Sequence, residues 1–184
     1  IDETRPKESI AMSSPTHTQD PAAWITQTVL EFLQNSPDNR LQNGTDEKAW
    51  ETALVAFSSG ADPIYASYKE HVGEYHWTPA EAFELAYPSS GAKPEELTVI
   101  SYILPQTEAT KTDHRLETRI PSERWARTRI FGEQFNEKLR RHVVDTLKAA
   151  GYEALAPTLL PEWKMMPSER CEPGWRVSKN FRGA

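Results

Sequence analysis

Residues 97–104 read LTVISYIL, and this stretch decides the fold. It is β-branched, almost continuously apolar and stopped by Pro105, a pattern that suits a strand covered on both faces. A shorter apolar run, Ala53 to Phe57, ends in Ser58-Ser59-Gly60 and predicts a second strand. Glu153 to Ala156, just after Gly151, predicts a third. Helical patterns fill the intervals, so the expected class is α/β, with layered helices on a small sheet and a domain left incomplete.

The helices announce themselves by punctuation. Asp20-Pro21 sets an N-cap before a first-turn proline, whose missing N–H would have gone unpaired in any case. Behind it Trp24, Ile25, Val29, Phe32 and Leu33 share one face of a helix reaching about Asn35. Asp62-Pro63 repeats the device, with Gly73 as the stop. Thr78-Pro79-Ala80-Glu81 is a capping box opening a short helix to about Ala86. From an N-cap at Ser122, the residues Phe131, Phe135, Leu139, Val143 and Leu147 recur at steps of four until Gly151. About 28 helical residues would run about 42 Å, so a bend is expected near Gly132.

Residues 1–19 are polar, carry Pro6 and Pro15, lack apolar periodicity and are expected to be a disordered tail. Residues 20–164 form the expected α/β cofactor domain, and 165–184 an irregular segment broken by Pro167 and Pro173. The 184 residues suffice for one ordinary core. No run approaches the ~18 apolar residues of a membrane span, and no signal peptide is evident. The chain starts at Ile1, so its natural start is expected upstream. The lone Cys171 supplies no disulfide framework and has no neighbour that would make it a nucleophile; cytoplasm is the expected location.

That single cysteine also rules out an iron–sulfur cluster or a cysteine-built zinc site within this chain alone. The five histidines, His17, His71, His76, His114 and His142, show no metal-ligand spacing. Ser58-Ser59-Gly60-Ala61-Asp62 lies where an anion could meet backbone N–H groups, but it lacks the lysine and spaced glycines of a phosphate loop; a plain turn is expected. Net charge is −6, yet residues 111–142 hold nine Lys/Arg against five Asp/Glu. Arg124, Arg127 and Arg129 crowd the start of the long helix, where the dipole disfavours cations. Such a strip either pairs with its own acids or meets an anionic partner.

Several blocks carry a family resemblance. They are Asp62-Pro63, residues 68–73 (YKEHVG), 76–83 (HWTPAEAF), 97–111 (LTVISYILPQTEATK), 119–136 (RIPSERWARTRIFGEQFN) and 142–157 (HVVDTLKAAGYEALAP). In this order they resemble the N-terminal part of epoxyqueuosine reductase-like iron–sulfur proteins, over about residues 48 to 164. The resemblance implies an α/β domain binding a corrinoid (cobalamin), followed by a ferredoxin-like half with two 4Fe-4S clusters that feed electrons to the cobalt. It implies tRNA as a partner, since epoxyqueuosine reductases remove an epoxide oxygen from a modified tRNA base. Arg127, Arg129 and Phe135 are the residues it places on the cofactor or tRNA side.

The chain also departs from that pattern. It has no cysteine run for the clusters, which would lie only in the missing C-terminal half, and no counterpart of the catalytic aspartate within Ala154–Lys164. Val177-Ser178-Lys179-Asn180-Phe181 looks like the approach to a further family stretch, and the chain then stops at Ala184. The expectation is therefore an N-terminal fragment of an oxidoreductase, inactive alone. The alternative is a non-catalytic RNA- or protein-binding domain using the strip 111–142. Salt dependence would separate the two, because phosphate contacts weaken steeply as salt rises.

Overall fold

The structure is a computed structural model and describes residues 19–166. The expected tail, all but Gln19 of it, lies outside the described residues, as do Cys171, His17 and positions 167–184 of the expected irregular segment.

Chain order is α1 (Pro21–Asn35), β1 (Leu54–Ser59), α2 (Ile64–His71), α3 (Pro79–Ala86), β2 (Thr98–Ile103), α4 (Glu108–Leu116), α5 (Glu123–Arg127) and α6 (Glu133–Ala149). The class is mixed α/β: helices layered on a two-stranded antiparallel sheet. Punctuation works as the residue chemistry requires. Asp20 Oδ1 accepts the Ala23 N–H at 2.9 Å, and Thr78 and Glu81 close their capping box from both sides. Ser122 Oγ caps α5 by accepting from the Trp125 N–H.

The core is α1 packed on α6 over one sheet face. Ile25, Val29 and Leu33 meet Phe135, Leu139, Val143 and Leu147, with Val55, Phe57, Ile100 and Tyr102 against them. The register pairs Val55 with Tyr102 and Phe57 with Ile100, which puts all four on the covered side. On the other side the Leu54–Ile103 pair is open, at 62% and 63% exposure. The expectation that LTVISYIL is covered on both faces is thus corrected: its second face carries apolar residues without a covering layer among the described residues.

The expected third strand is corrected as well. Residues 152–156 form no ladder. Their backbone is held instead by a side chain: the Tyr87 hydroxyl donates to the Ala154 carbonyl at 2.8 Å and accepts the Ala154 N–H at 3.2 Å. With both groups of Ala154 satisfied this way, no partner strand is needed there.

The long helix breaks where a bend was expected. A π segment, Thr128–Gly132, joins α5 to α6. The Trp50 indole lies against it, and its Nε1–H donates to the Gly132 carbonyl at 3.0 Å. A Cβ on Gly132 would stand 2.8 Å from three atoms of that indole, so glycine is what lets tryptophan and helix meet.

Candidate functional site

A concavity of about 1830 Å³ opens between α1, the sheet, α2, α3, α6 and the segment after Gly151. Its aromatic lining comes from distant parts of the chain: Trp24 on α1, Phe57 and Tyr102 on the strands, Tyr65 and Tyr68 on α2, Tyr75, His76 and Trp77 on the following loop, and Trp163. Small-molecule pockets commonly run to about 1,000 Å³, so this one has room for a large occupant.

Local chemistry positions these rings. Asp62 Oδ1 accepts the Ile64 N–H and starts α2. That turns Tyr65 to share a 2.6 Å hydroxyl contact with Ser58 on β1. Tyr68 meets Tyr65 edge-on at 6.0 Å and His76 edge-on at 5.3 Å. His76 Nδ1 is buried and has no hydrogen-bond partner.

Behind Tyr102 runs a chain of polar side chains that does not itself line the concavity. Tyr102 Oη donates to Asn136 Oδ1 at 2.9 Å, and Asn136 Nδ2 reaches Glu133 at 3.4 Å. Burial pushes the Tyr102 phenol up, holding it neutral, and burial likewise raises the Glu133 carboxyl. Arg140 stands beside them on the α6 face that carries Val143, Val144 and Leu147 into the concavity.

The residues that sequence singled out sit elsewhere. Arg127 donates to Glu123 Oε1 and to the Gln42 carbonyl, both at 2.7 Å, and its guanidinium lies 6.0 Å over the Phe131 ring. Arg129 is exposed on the π segment and acts electrostatically on Glu133. Phe135 is fully buried, tilted against Phe32 at 5.6 Å. None of the three lines the concavity. Their common feature was charge and aromaticity near one helix start, whereas the concavity draws on α6 a turn and more further along. The signal in the sequence is the aromatic density of Tyr65, Tyr68, Tyr75 and Trp77, of which only Tyr68 and Trp77 fall within the blocks that carry the resemblance.

The basic strip is largely paired within the chain. Arg124 bridges Glu47 and Asp113 at 2.7–2.8 Å, Lys111 and Arg115 share Glu108, Lys138 meets Asp38 and Arg141 meets Glu137. The serine-rich turn is likewise closed on itself. Ser59 Oγ takes the Ala61 N–H, Asp62 Oδ1 takes that of Ile64, and the Gly60 N–H goes to the Leu97 carbonyl. Among the described residues, no group of three or more His, Cys, Asp and Glu is placed to hold a metal ion, and no helix is long and apolar enough to cross a membrane.

No family model matches the chain, and no curated protein or solved structure matches it.

Proposed function

We propose that this chain is the N-terminal, corrinoid-binding part of an epoxyqueuosine reductase-like iron–sulfur protein, and that the corrinoid occupies the aromatic concavity. The observation that carries this reading is the concavity itself: about 1830 Å³, walled by rings drawn from five parts of the chain. A corrinoid is a broad macrocycle rimmed with amide arms, and it needs large apolar walls with a few polar groups to orient it. Trp24, Phe57, Tyr68 and Trp77 supply the walls. Tyr102 and Arg140 supply polar side chains on the same lining.

When bound, the corrinoid supplies two-electron reduction through cobalt, with electrons from 4Fe-4S clusters in a following ferredoxin-like half. This chain's own residues bind and orient the ring and keep water from it. With Cys171 as the single cysteine, no cluster is held here, and the chain alone turns over no substrate. In the intact protein the substrate would be an epoxide-bearing base in tRNA. The strip of residues 111–142 gives less support to a separate RNA-binding role, because most of its cations already hold acids of the same chain.

Titration of the 184-residue chain with cob(II)alamin, followed in the visible spectrum and by calorimetry, tests the proposal. The expected result is a saturable spectral change with binding heat. Neither signal at millimolar corrinoid contradicts it.

A further inference from the structure

Arg140 lines the concavity beside the Tyr102 hydroxyl and the Glu133 carboxylate and interacts with both. Its side chain is only 15% exposed, and its ion-pair contact, Nη2 to Glu133 Oε1, is 3.7 Å long, beyond ordinary hydrogen-bond reach. The other charged residues lining the concavity, Asp20, Glu96, Glu153, Glu162 and Lys164, are all exposed. Arg140 is therefore the one sheltered charge on its wall among the described residues. The long contact to Glu133 and the one to Tyr102 engage only part of a side chain that has five donors in a fixed fork.

We propose that Arg140 is the anion-holding residue of the concavity, and that the ligand is a flat polycyclic or macrocyclic molecule carrying one phosphate-type anion. The rings grip the apolar body, and the fork of Arg140 takes the anion in a bidentate contact. The inference rests on the corrinoid reading in one respect: there, the anion is the phosphodiester of the corrinoid's nucleotide arm. The anion site itself stands on the position of Arg140 whatever the ring.

Two pairs of probes test this. The first is 8-anilino-1-naphthalenesulfonate and its uncharged relative N-phenyl-1-naphthylamine, titrated by fluorescence into the full chain, with a melting curve for each variant. Arg140→Met is expected to weaken the sulfonate about tenfold or more and to leave the uncharged probe within about twofold, while Arg140→Lys retains most of the sulfonate affinity. Glu133→Gln frees the fork and is expected to tighten the sulfonate alone, which keeps the test decisive if Arg140→Met does not fold. An equal effect of Arg140→Met on both probes, or no effect of either substitution on the sulfonate, overturns the assignment.

The second pair is cobalamin and cobinamide, which lacks the phosphate-bearing arm. Arg140→Met is expected to weaken cobalamin and spare cobinamide. Corrinoid binding that ignores Arg140 overturns the anion site and leaves the proposed function standing. Sulfonate binding that depends on Arg140, with neither corrinoid bound, supports the anion site and overturns the proposed function.

Discussion

Arg124 ties three parts of the chain with one guanidinium. Its Nε and Nη2 donate to Glu47 in the loop after α1, at 2.8 and 3.2 Å, and its Nη1 donates to Asp113 on α4 at 2.7 Å. The hydrogen bonds from Arg124 hold the Glu47 carboxyl below its ordinary value of 4.5, against a smaller opposing effect of burial. A carboxyl whose native pKa is depressed adds stability above its unfolded value and loses it as pH falls through the native one. The melting temperature should therefore fall as pH drops below about 4.5, and Arg124→Met should flatten that acid limb; thermal melts of both proteins across this range check it. Asn39 is a second such tie. Its fully buried amide donates to the Leu33 and Trp50 carbonyls at 3.1 and 3.2 Å and accepts the Trp50 N–H at 2.9 Å. Asn39→Ala leaves three backbone groups without that partner and should cost about 1–3 kcal/mol, measured by urea unfolding. The importance of neither residue was legible beforehand, because their partners lie 6 to 77 positions away.

At the scale of elements, the ends of helices were the most legible feature. Asp20-Pro21, Thr78 to Glu81 and Ser122 act locally, through side-chain oxygens that accept N–H groups three residues on, so sequence suffices to find them. Thr78→Ala removes one side of the α3 capping box and should cost about 1 kcal/mol in the same unfolding assay, a loss that Thr78→Ser should largely restore. Helix α4 was missed because EATKTDHRL offers no apolar stripe: its one large apolar residue, Leu116, is 77% exposed, and its buried residue is Thr110. Its signal was the Thr107 cap ahead of Glu108, and a capped helix that buries a threonine lies outside what apolar periodicity detects. The third strand was expected for the opposite reason. Residues 153–156 read EALA, a short and mostly apolar run after the Gly151 stop but without β-branched residues, and the Tyr87 hydroxyl takes over what a neighbouring strand would have done.

The whole molecule shows why the fold was more legible than the site. Layering of helices on a small sheet follows from periodicity within each segment. The concavity does not: it joins Trp24, Tyr68, Trp77, Tyr102, Arg140 and Trp163, and only the packing of α1, α6 and the sheet brings them to one space. Charge density pointed to Arg127 and Arg129, which are occupied with Glu123, Gln42 and Glu133. The sheltered charge is Arg140, one of three basic residues within four positions on α6, and nothing in the sequence marked which of them faces inward.

The corrinoid reading stands or falls on whether that shared space is where the ring sits. Trp24, Trp77 and Trp163 line it, whereas Trp50 packs on Gly132 and Trp125 stacks on His114. Titrating the chain with hydroxocobalamin while following tryptophan fluorescence, corrected for absorbance, therefore reports both binding and place. The expected result is saturable quenching whose amplitude falls sharply when Trp24, Trp77 and Trp163 are replaced by phenylalanine. Quenching that stays linear in corrinoid, or saturable quenching that survives those replacements unchanged, would contradict a ring held in the concavity.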